Sequence, residues 1–211
     1  MALDISGGLF QQRDVRETPT ADISSVVLAP IGAIIAWFKS YPNTPATLPS
    51  GWVEANGAVV NDADSVYNGQ TLPDLNTNYL TISASAWTPL NSTVAWTQSQ
   101  AIMQADGDAI SFYAPVNLPN GATVTAVVVY GNAAATAENY ALQRITTSTG
   151  AYDQNLANAA IGTVDTTITV PTIDNSLYTY NLTAASLDTN DEVWTSMITY
   201  TPRFKFIMRI K

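Results

Sequence analysis

The chain has 211 residues, of which 46% are hydrophobic and 12% are charged; this composition predicts one or two domains with a buried core and excludes a largely disordered protein. A net charge of −9 argues against nucleic-acid binding, because an acidic surface repels phosphate backbones. The absence of histidine and cysteine excludes Ser-His-Asp and Cys-His catalysis and thiolate metal sites, and no apolar run reaches the 18 residues expected of a membrane-spanning helix.

Residues 1–29 are predicted to form an N-terminal arm or linker. Gly7-Gly8 and Thr18-Pro19-Thr20 interrupt any regular element there, and few side chains of this segment are suited to a core. The first residues also lack the basic and then apolar succession of a secretory signal peptide, so we expect no signal peptide.

The first strong strand candidate runs from Ile31 to Phe38, between Pro30 and the Tyr41-Pro42 pair. Its residues are apolar on both faces. A strand of this kind is either buried on both sides of a sheet or takes part in a subunit contact. Both alternatives remain open on the sequence.

Turns dominate the segment that follows. Prolines at positions 42, 45 and 49 exclude a helix or a central strand, and Ser50-Gly51 predicts a turn. Trp52 is expected to plug a small core in preference to serving as a ligand platform. Asn56-Gly57 predicts a tight hairpin between residues 52–53 and 58–60. Residues 71–76 are expected to form an extended loop that two leucines anchor.

The central part of the chain predicts a β-sandwich. Residues 79–105 are expected to form one or two strands and a connector, and Asp106-Gly107-Asp108 marks the expected boundary of the sandwich module. Beyond it, apolar segments recur at the spacing of sandwich strands. The predicted strands are Ile110–Val116, Ala122–Tyr130, Tyr140–Thr146, Gly162–Val170, Leu177–Leu182 and Val193–Tyr200.

The last predicted strand, from Phe204 to Ile210, alternates between apolar and cationic residues. We predict that it pairs with residues 31–38, so that the two ends of the chain build one small domain. The alternation divides the strand into a core face and a cationic face. The predicted core face consists of Phe204, Phe206, Met208 and Ile210, and the cationic face consists of Lys205, Ile207 and Arg209.

Five short phrases occur in a recognisable order: PIGAIIAW from residue 30, PSGW from 49, ANG from 55, LPDL from 72 and IMRIK from 207. In this order they resemble the collar-type domain of phage tail fibres and related virion fibres. The resemblance implies structural roles for a set of positions. These are Pro30, Gly32, Trp37, Gly51, Trp52, Asn56, Gly57, Pro73, Asp74, Leu75, Met208 and Arg209.

Residues 112–131 and 172–180 resemble two phrases of a β-sandwich module that is common in secreted bacterial proteins. Together the resemblances imply an all-β fold with an arm at 1–29, a collar-type domain at 30–105 completed by strand 203–211, and a jelly-roll-like antiparallel β-sandwich at 106–202. The chain departs from the collar-type family after residue 77, where a glycine-rich region is usual. Receptor contact is therefore not carried over from that family.

Candidate chemical sites are few. Carboxylates adjoin one another at Asp62/Asp64, Asp106/Asp108 and Asp191/Glu192, but aspartate is an ordinary turn residue and nothing singles out the acid pair of a glycosidase. We predict no catalytic residue and no enzymatic activity. The oxygen-rich loops have the ligand type that calcium prefers, yet none follows the twelve-residue calcium-loop pattern. No cofactor is predicted, and the question of a bound calcium ion stays open.

Tyrosines on the predicted sandwich have two alternative roles. Such residues either stack on sugar rings or form half-buried cross-strand pairs. The tyrosines concerned are Tyr113, Tyr130, Tyr152, Tyr178 and Tyr180.

The collar-type resemblance implies a structural virion protein of a bacteriophage: a tail or head fibre, a spike or a capsid-decoration subunit on the extracellular particle. The expected partners are copies of the chain, as a homotrimer, together with other virion proteins and a host-surface glycan, without nucleic acid or membrane insertion. The alternative is a carbohydrate-binding or adhesive extracellular β-sandwich module. An enzyme acting on glycans comes third, because the chain lacks histidine and a defined acid pair.

Overall fold

The computed structural model describes residues 29–38, 45, 47–91, 93–132 and 134–211. These residues are nearly all β, with three antiparallel sheets and two short 3₁₀ turns at Ala84–Ala86 and Ala134–Ala137, so the predicted all-β fold class is confirmed. In the part of the chain that the structure describes, no helix is long and apolar enough to cross a membrane. The predicted arm lies outside the described residues, apart from residue 29.

The smallest sheet joins early and late parts of the chain. Its strands are β1 (Ile34–Trp37), β2 (Trp52–Glu54) and β13 (Lys205–Arg209), in the antiparallel order β1-β13-β2. Met208 lies opposite Ile34 of β1 on one side and opposite Val53 of β2 on the other. The predicted pairing of the first apolar strand with the C-terminal strand is therefore confirmed, and β13 is the central strand of the sheet.

Ten further strands form the other two sheets. They are β3 (Asn78–Ser83), β4 (Thr88–Pro89), β5 (Trp96–Gln98), β6 (Met103–Ala105), β7 (Ile110–Val116), β8 (Thr123–Gly131), β9 (Asn139–Thr146), β10 (Tyr152–Ala160), β11 (Tyr178–Leu187) and β12 (Glu192–Thr201). One sheet has the order β10-β9-β11-β7-β4. In the other, β12 pairs with β8 along one edge and with β3 and then β6 along the opposite edge, and β5 follows β6.

One core cluster lies between these two sheets and makes them a sandwich. Ile110, Phe112 and Ala114 alternate inward from β7, and Ile198 comes from β12 of the opposite sheet. The alternation follows from the period of two in a β-strand, which places every second side chain on the same face. The fully buried Trp87 is the largest side chain of the cluster, and burying a large side chain of this kind stabilises the fold by about 1.5–3 kcal/mol.

The strand pairing differs from the predicted domain boundary at Asp106. Residues 78–105 were predicted to belong with the collar-type unit, but β3 pairs with β12, β4 pairs with β7, and β6 pairs with β12. These segments therefore extend the sandwich sheets. The physical reason is that their apolar side chains, including the buried Ile82 and Met103, fill the sandwich core.

Two strand predictions within the sandwich are wrong. The segment Gly162–Val170 is irregular and makes only an isolated bridge at Asp165, while the unpredicted β10 occupies residues 152–160. Val170 has a φ of +50°, which is outside the range of a strand. Strand β10 is an edge strand that buries only Leu156 and Ala157, so its sequence carries little apolar alternation.

Two local predictions in the small sheet also need correction. The predicted hairpin at Asn56-Gly57 does not form, because β2 pairs with β13 and residues 58–60 run beside residues 70–72. Ile207 was assigned to a cationic face but is fully buried, between Ile35 of β1 and Glu54 of β2. A central strand has neighbours on both edges, and this favours burial even on its more polar face.

Candidate functional site

The positions that carry the collar-type resemblance lie in one place, which we call the junction unit: β1 with the preceding turn, β2, β13 and the loop of residues 55–76. Its small core contains Val60, Leu72, Met208 and Ile210. Residues from both parts of the chain contribute to this core because β13 lies between β1 and β2. The unit therefore joins the chain segment that enters the sandwich to the segment that leaves it.

Gly32 lets the turn before β1 approach β13 closely. Its amide donates a hydrogen bond to the Arg209 carbonyl at 2.8 Å, and the Arg209 amide donates to the Ala33 carbonyl at 2.9 Å. Pro30 begins the turn, and its carbonyl accepts a hydrogen bond from Ala33. Gly32 has a φ of +91°, and a Cβ at this position would lie 2.6 Å from the hydroxyl oxygen of Tyr67. Only glycine satisfies both conditions without strain.

Gly51 lets the turn before β2 closely approach the residues that follow β13. Its φ is +80°, its carbonyl accepts a hydrogen bond from the Ile210 amide at 2.7 Å, and a Cβ would lie 2.7 Å from the Lys211 carbonyl oxygen. The next residue, Trp52, begins β2 opposite Arg209 and is half-buried. The glycine-tryptophan pair therefore fixes the chain segment that follows β13.

Asn56, Gly57 and Asp74 hold the two sides of the loop together. Asn56 forms an isolated β-bridge with Asp74, and a Cβ at Gly57 would lie 3.4 Å from the Asp74 Cβ. Hydrogen bonds from the Thr77 hydroxyl and from the amides of Thr77 and Asn76 hold the pKa of Asp74 below its ordinary value. The carboxylate therefore serves as an anionic cap for this turn at neutral pH.

Asn76 is the position in the junction unit that sequence reasoning missed. Its buried side chain donates to the carbonyls of Ala55 and Phe206, at 3.1 and 3.2 Å, and accepts from the Phe206 amide at 2.7 Å. Its neighbours Pro73 and Leu75 are exposed, and the Leu75 amide also donates to Ala55. The sequence shows an asparagine directly after the LPDL phrase. No pattern in the neighbouring residues, however, indicates that its partner is the distant Phe206.

Strand β1 presents apolar side chains to solvent on both of its faces. Ile34 and Ile35 are 42% and 40% exposed, and Ile31 in the preceding turn is 48% exposed. Trp37 ends the strand, and its indole N–H is buried without a hydrogen-bond partner. Among the described residues, no strand pairs with the outer edge of β1. Within the described residues, β1 is therefore not buried on both faces, so the first of the two alternatives for this segment is wrong for this part of the chain.

A second candidate site lies at one end of the sandwich. It is a cleft of about 820 Å³ that we call the tyrosine cleft. Tyr178 and Tyr180 come from β11, Tyr200 comes from β12, and the loop after β7 contributes Asn117. The remaining lining residues are Pro115, Val116, Leu118, Pro119, Asn175, Thr179 and Asn181.

Hydrogen bonds between the two sandwich phrases build the rim of this cleft. The Asn175 side chain donates to the Leu118 carbonyl, and its amide donates to the Asn120 side chain, both at 2.9 Å. The Asp174 amide donates to the Tyr180 hydroxyl at 2.8 Å. The resemblance at residues 112–131 and 172–180 thus corresponds to a single structural feature, in which the two loops are fastened to each other.

Of the predicted tyrosines, Tyr178 and Tyr180 lie in the cleft, whereas Tyr113, Tyr130 and Tyr152 lie outside it. Tyr180 is buried, and its hydroxyl is used as an acceptor by the rim. Tyr178 is half-buried, with the Arg144 guanidinium 4.0 Å from its ring centre. Tyr200 was not among the predicted candidates, because it was predicted only as the last residue of a sandwich strand.

The adjoining carboxylates have local structural partners. Asp62 forms an ion pair with Lys211 at 2.7 Å, and this contact holds its pKa below the ordinary value. The Thr189 hydroxyl donates to Asp108 and likewise lowers the pKa of that carboxyl. Lowered pKa values make both groups poor general acids. Within the described residues, no group of three or more carboxylates is placed to hold a metal ion.

Comparisons with known proteins add little to this geometry. No family model matches the chain, and no curated protein matches it. Among solved structures, the chain is similar to the K1 cleaved adhesin domain of the Lys-gingipain of Porphyromonas gingivalis W83, with 18% sequence identity over 61% of this chain and 85% of that chain. The TM-score of 0.21 is too low for this likeness to support an argument about fold or function.

Proposed function

We propose that the chain is a structural subunit of a bacteriophage virion, such as a fibre, spike or decoration subunit, and that it assembles with copies of itself through β1. The observation that carries the proposal is the exposure of Ile34 and Ile35 on β1, which is an edge strand among the described residues, and of Ile31 in the turn before it. Each isoleucine is already partly buried, so covering the rest contributes about 1 kcal/mol per side chain. Three such side chains contribute about 3 kcal/mol per subunit, which corresponds to roughly a hundredfold in an association constant.

The collar-type resemblance supports a virion fibre as the setting for this assembly. A fibre subunit needs an apolar surface that is covered only by its neighbours, and a C3-symmetric trimer gives each copy two such neighbours. In this proposal the junction unit faces the symmetry axis and the sandwich projects outward. Other virion proteins are the remaining partners, the protein has a structural and not a catalytic role, and it needs no cofactor.

The mass of the protein in solution tests the assembly. Light scattering on the purified chain is expected to give three times the subunit mass of 22.5 kDa. The double variant Ile34→Asp/Ile35→Asp is expected to run as a monomer with an unchanged circular dichroism spectrum. The matched control is Leu90→Asp, which changes an equally apolar and 67% exposed residue of the sandwich. A monomeric wild-type chain, or a double variant that still assembles, would contradict self-association through β1.

The setting on a virion needs a separate test. Immunogold labelling of purified phage particles that encode this chain is expected to mark the tail, the head surface or a spike. Particles that carry no label, although the same antibody detects the chain in infected cells, would contradict the virion role while leaving self-association unaffected.

The second candidate function is a carbohydrate-binding or adhesive surface module. The tyrosine cleft favours it, because it combines aromatic side chains with amide groups at the end of a sandwich. The two functions are compatible in one protein, since the cleft and β1 belong to different parts of the fold.

A further inference from the structure

We propose that the tyrosine cleft binds a neutral glycan, and that the binding path continues over Tyr178 into a second, smaller hollow. This inference rests on the second proposed function, carbohydrate binding, and does not depend on self-association through β1. It rests on the composition of the cleft, on the polar groups in it that have no hydrogen-bond partner among the described residues, and on the hollow beside it.

The size and lining of the cleft are compatible with a ligand site. Its volume of about 820 Å³ lies within the range of roughly 300–1,000 Å³ that is usual for small-molecule sites. Tyr178 and Tyr200 are half-buried and contribute apolar ring surface. Tyrosine combines a flat apolar body with a polar tip, which matches a sugar ring with its apolar C–H face and its rim of hydroxyl groups.

Several polar groups in the cleft are available for a ligand. The side chains of Asn117 and Asn181, and the hydroxyls of Tyr178 and Tyr200, make no hydrogen bond to any other described residue. An asparagine side chain offers two donors and one acceptor, and a phenol offers one donor and an acceptor. Sugar hydroxyls also donate and accept, so the two sets of groups are complementary.

The charge of the cleft selects against acidic and basic ligands. None of its lining residues carries a carboxylate, an ammonium or a guanidinium group. Arg144, beside Tyr178, is already paired with Asp153, so a charged ligand would lose hydration on entering without gaining an unpaired opposite charge. The expected ligand is therefore a neutral sugar, in contrast to a sialylated or sulfated one.

The rim of the cleft is held in place before a ligand binds. Asn175 fastens the loop after β7, and Asp174 fastens the Tyr180 hydroxyl. Arg144 lies over the Tyr178 ring and forms an ion pair with Asp153. Because these side chains are already ordered, binding loses little conformational entropy at the rim.

The second hollow explains why an oligosaccharide is expected and not a single sugar. It has a volume of about 230 Å³ and shares Tyr178 with the cleft. Its other lining residues, apart from Leu177, all carry hydroxyl groups, namely Thr146, Thr147, Ser148 and Ser176. A chain of sugar rings that crosses Tyr178 would contact both hollows, so affinity should rise with glycan length.

A glycan array followed by calorimetric titration tests the proposal on the full chain. We expect binding to neutral oligosaccharides on an array that also carries sialylated and sulfated glycans, and tighter binding of a hexasaccharide than of the matching disaccharide. An array on which the neutral glycans give no signal would overturn the proposal. Binding confined to the acidic glycans would also overturn it.

Variants locate the binding in the cleft. Asn117→Ala/Asn181→Ala is expected to weaken binding of the hexasaccharide at least tenfold, with an unchanged melting temperature, because neither side-chain amide makes a hydrogen bond to another described residue. Asn158→Ala is the matched control, since Asn158 is an exposed residue of β10 outside the cleft, and it should bind as the wild type does. If the double variant were poorly folded, the single variant Asn117→Ala would replace it, with at least a threefold loss expected. Unchanged affinity in these variants would refute the assignment of the cleft, whereas the mass in solution reports separately on self-association.

Discussion

Removing the Asn76 side chain should destabilise the junction unit selectively. In Asn76→Ala, the Phe206 amide loses its acceptor at 2.7 Å, while the carbonyls of Ala55 and Phe206 each lose one donor. Both carbonyls keep a second partner, because Leu75 donates to Ala55 and the Ala55 amide donates to Phe206. The main cost is therefore one unsatisfied N–H, which is about 1–3 kcal/mol, and the two lost carbonyl contacts add about 0.5–1 kcal/mol each. We expect a total loss of about 3 kcal/mol.

An isosteric change at the same position separates donors from acceptors. In Asn76→Asp, the carboxylate still accepts a hydrogen bond from the Phe206 amide. Its other oxygen, however, faces the carbonyl oxygens of Ala55 and Phe206 as an acceptor, where the Asn76 side chain had donated hydrogen bonds. The protonated carboxyl supplies one donor, so its pKa in the folded state is expected to be raised. The penalty should therefore be smallest below about pH 4, the ordinary aspartate pKa, and should grow as the pH rises through the raised value.

Urea denaturation, combined with hydrogen exchange at the β13 amides, measures both effects. Exchange identifies which part of the fold opens, because protection should fall on β13 and remain on β7 and β12. The control is Asn61→Ala, since Asn61 is exposed in the same unit and its side chain makes no hydrogen bond to another described residue; it should stay within about 0.5 kcal/mol of the wild type. A loss in Asn76→Ala no larger than in this control, or an Asn76→Asp penalty that does not change with pH, would refute the reasoning.

Two further predictions concern stability at other positions. Gly32→Ala is expected to cost about 1–3 kcal/mol in urea denaturation, because of its positive φ and the closeness of the Tyr67 hydroxyl; a neutral effect would show that the turn before β1 rearranges freely. Tyr140→Phe should cost a similar amount, because the buried Tyr140 hydroxyl donates toward the carbonyls of Val127 and Thr163, at 2.6 and 2.9 Å. Burial raises the pKa of Tyr140 to about 12. The contribution of the Tyr140 hydroxyl to the free energy of unfolding is therefore complete below about pH 10 and is lost as the pH rises through 12. The stability difference between wild type and variant should shrink over that interval, and a constant difference would contradict a stabilising role for the buried hydroxyl.

The sequence predicted best those strands whose side chains alternate strongly between core and solvent. Strand β7 was predicted with its observed bounds, and the main parts of β8, β9, β11 and β12 were also found. Strand β10 was missed because its sequence, YDQNLANAA, is mostly polar. The segment 162–170 was predicted as a strand in error, because threonine and valine alternation marks β propensity without showing that a pairing partner is present.

The candidate sites also contain some positions that the sequence predicted and others that it did not. The glycine positions of the junction unit follow from local backbone requirements, and these leave a readable pattern in the sequence. Asn76 acts on Phe206, far along the chain, and no local pattern reports such a pairing. Asn117 and Asn181 were not predicted either, because an exposed amide at the end of a sandwich has no periodic signal and is distinguished only by its neighbours in space.

The central position of β13 in the small sheet has a consequence for synthesis on the ribosome. Ile34 emerges early and must wait for Met208 before it can pair, and at 5–20 residues per second this delay is on the order of ten seconds. During that time the isoleucines of β1 are available to nascent-chain chaperones and to neighbouring chains of the same polysome. In the proposed assembly through β1, this order of translation would let several copies meet before any one of them has closed its own sheet.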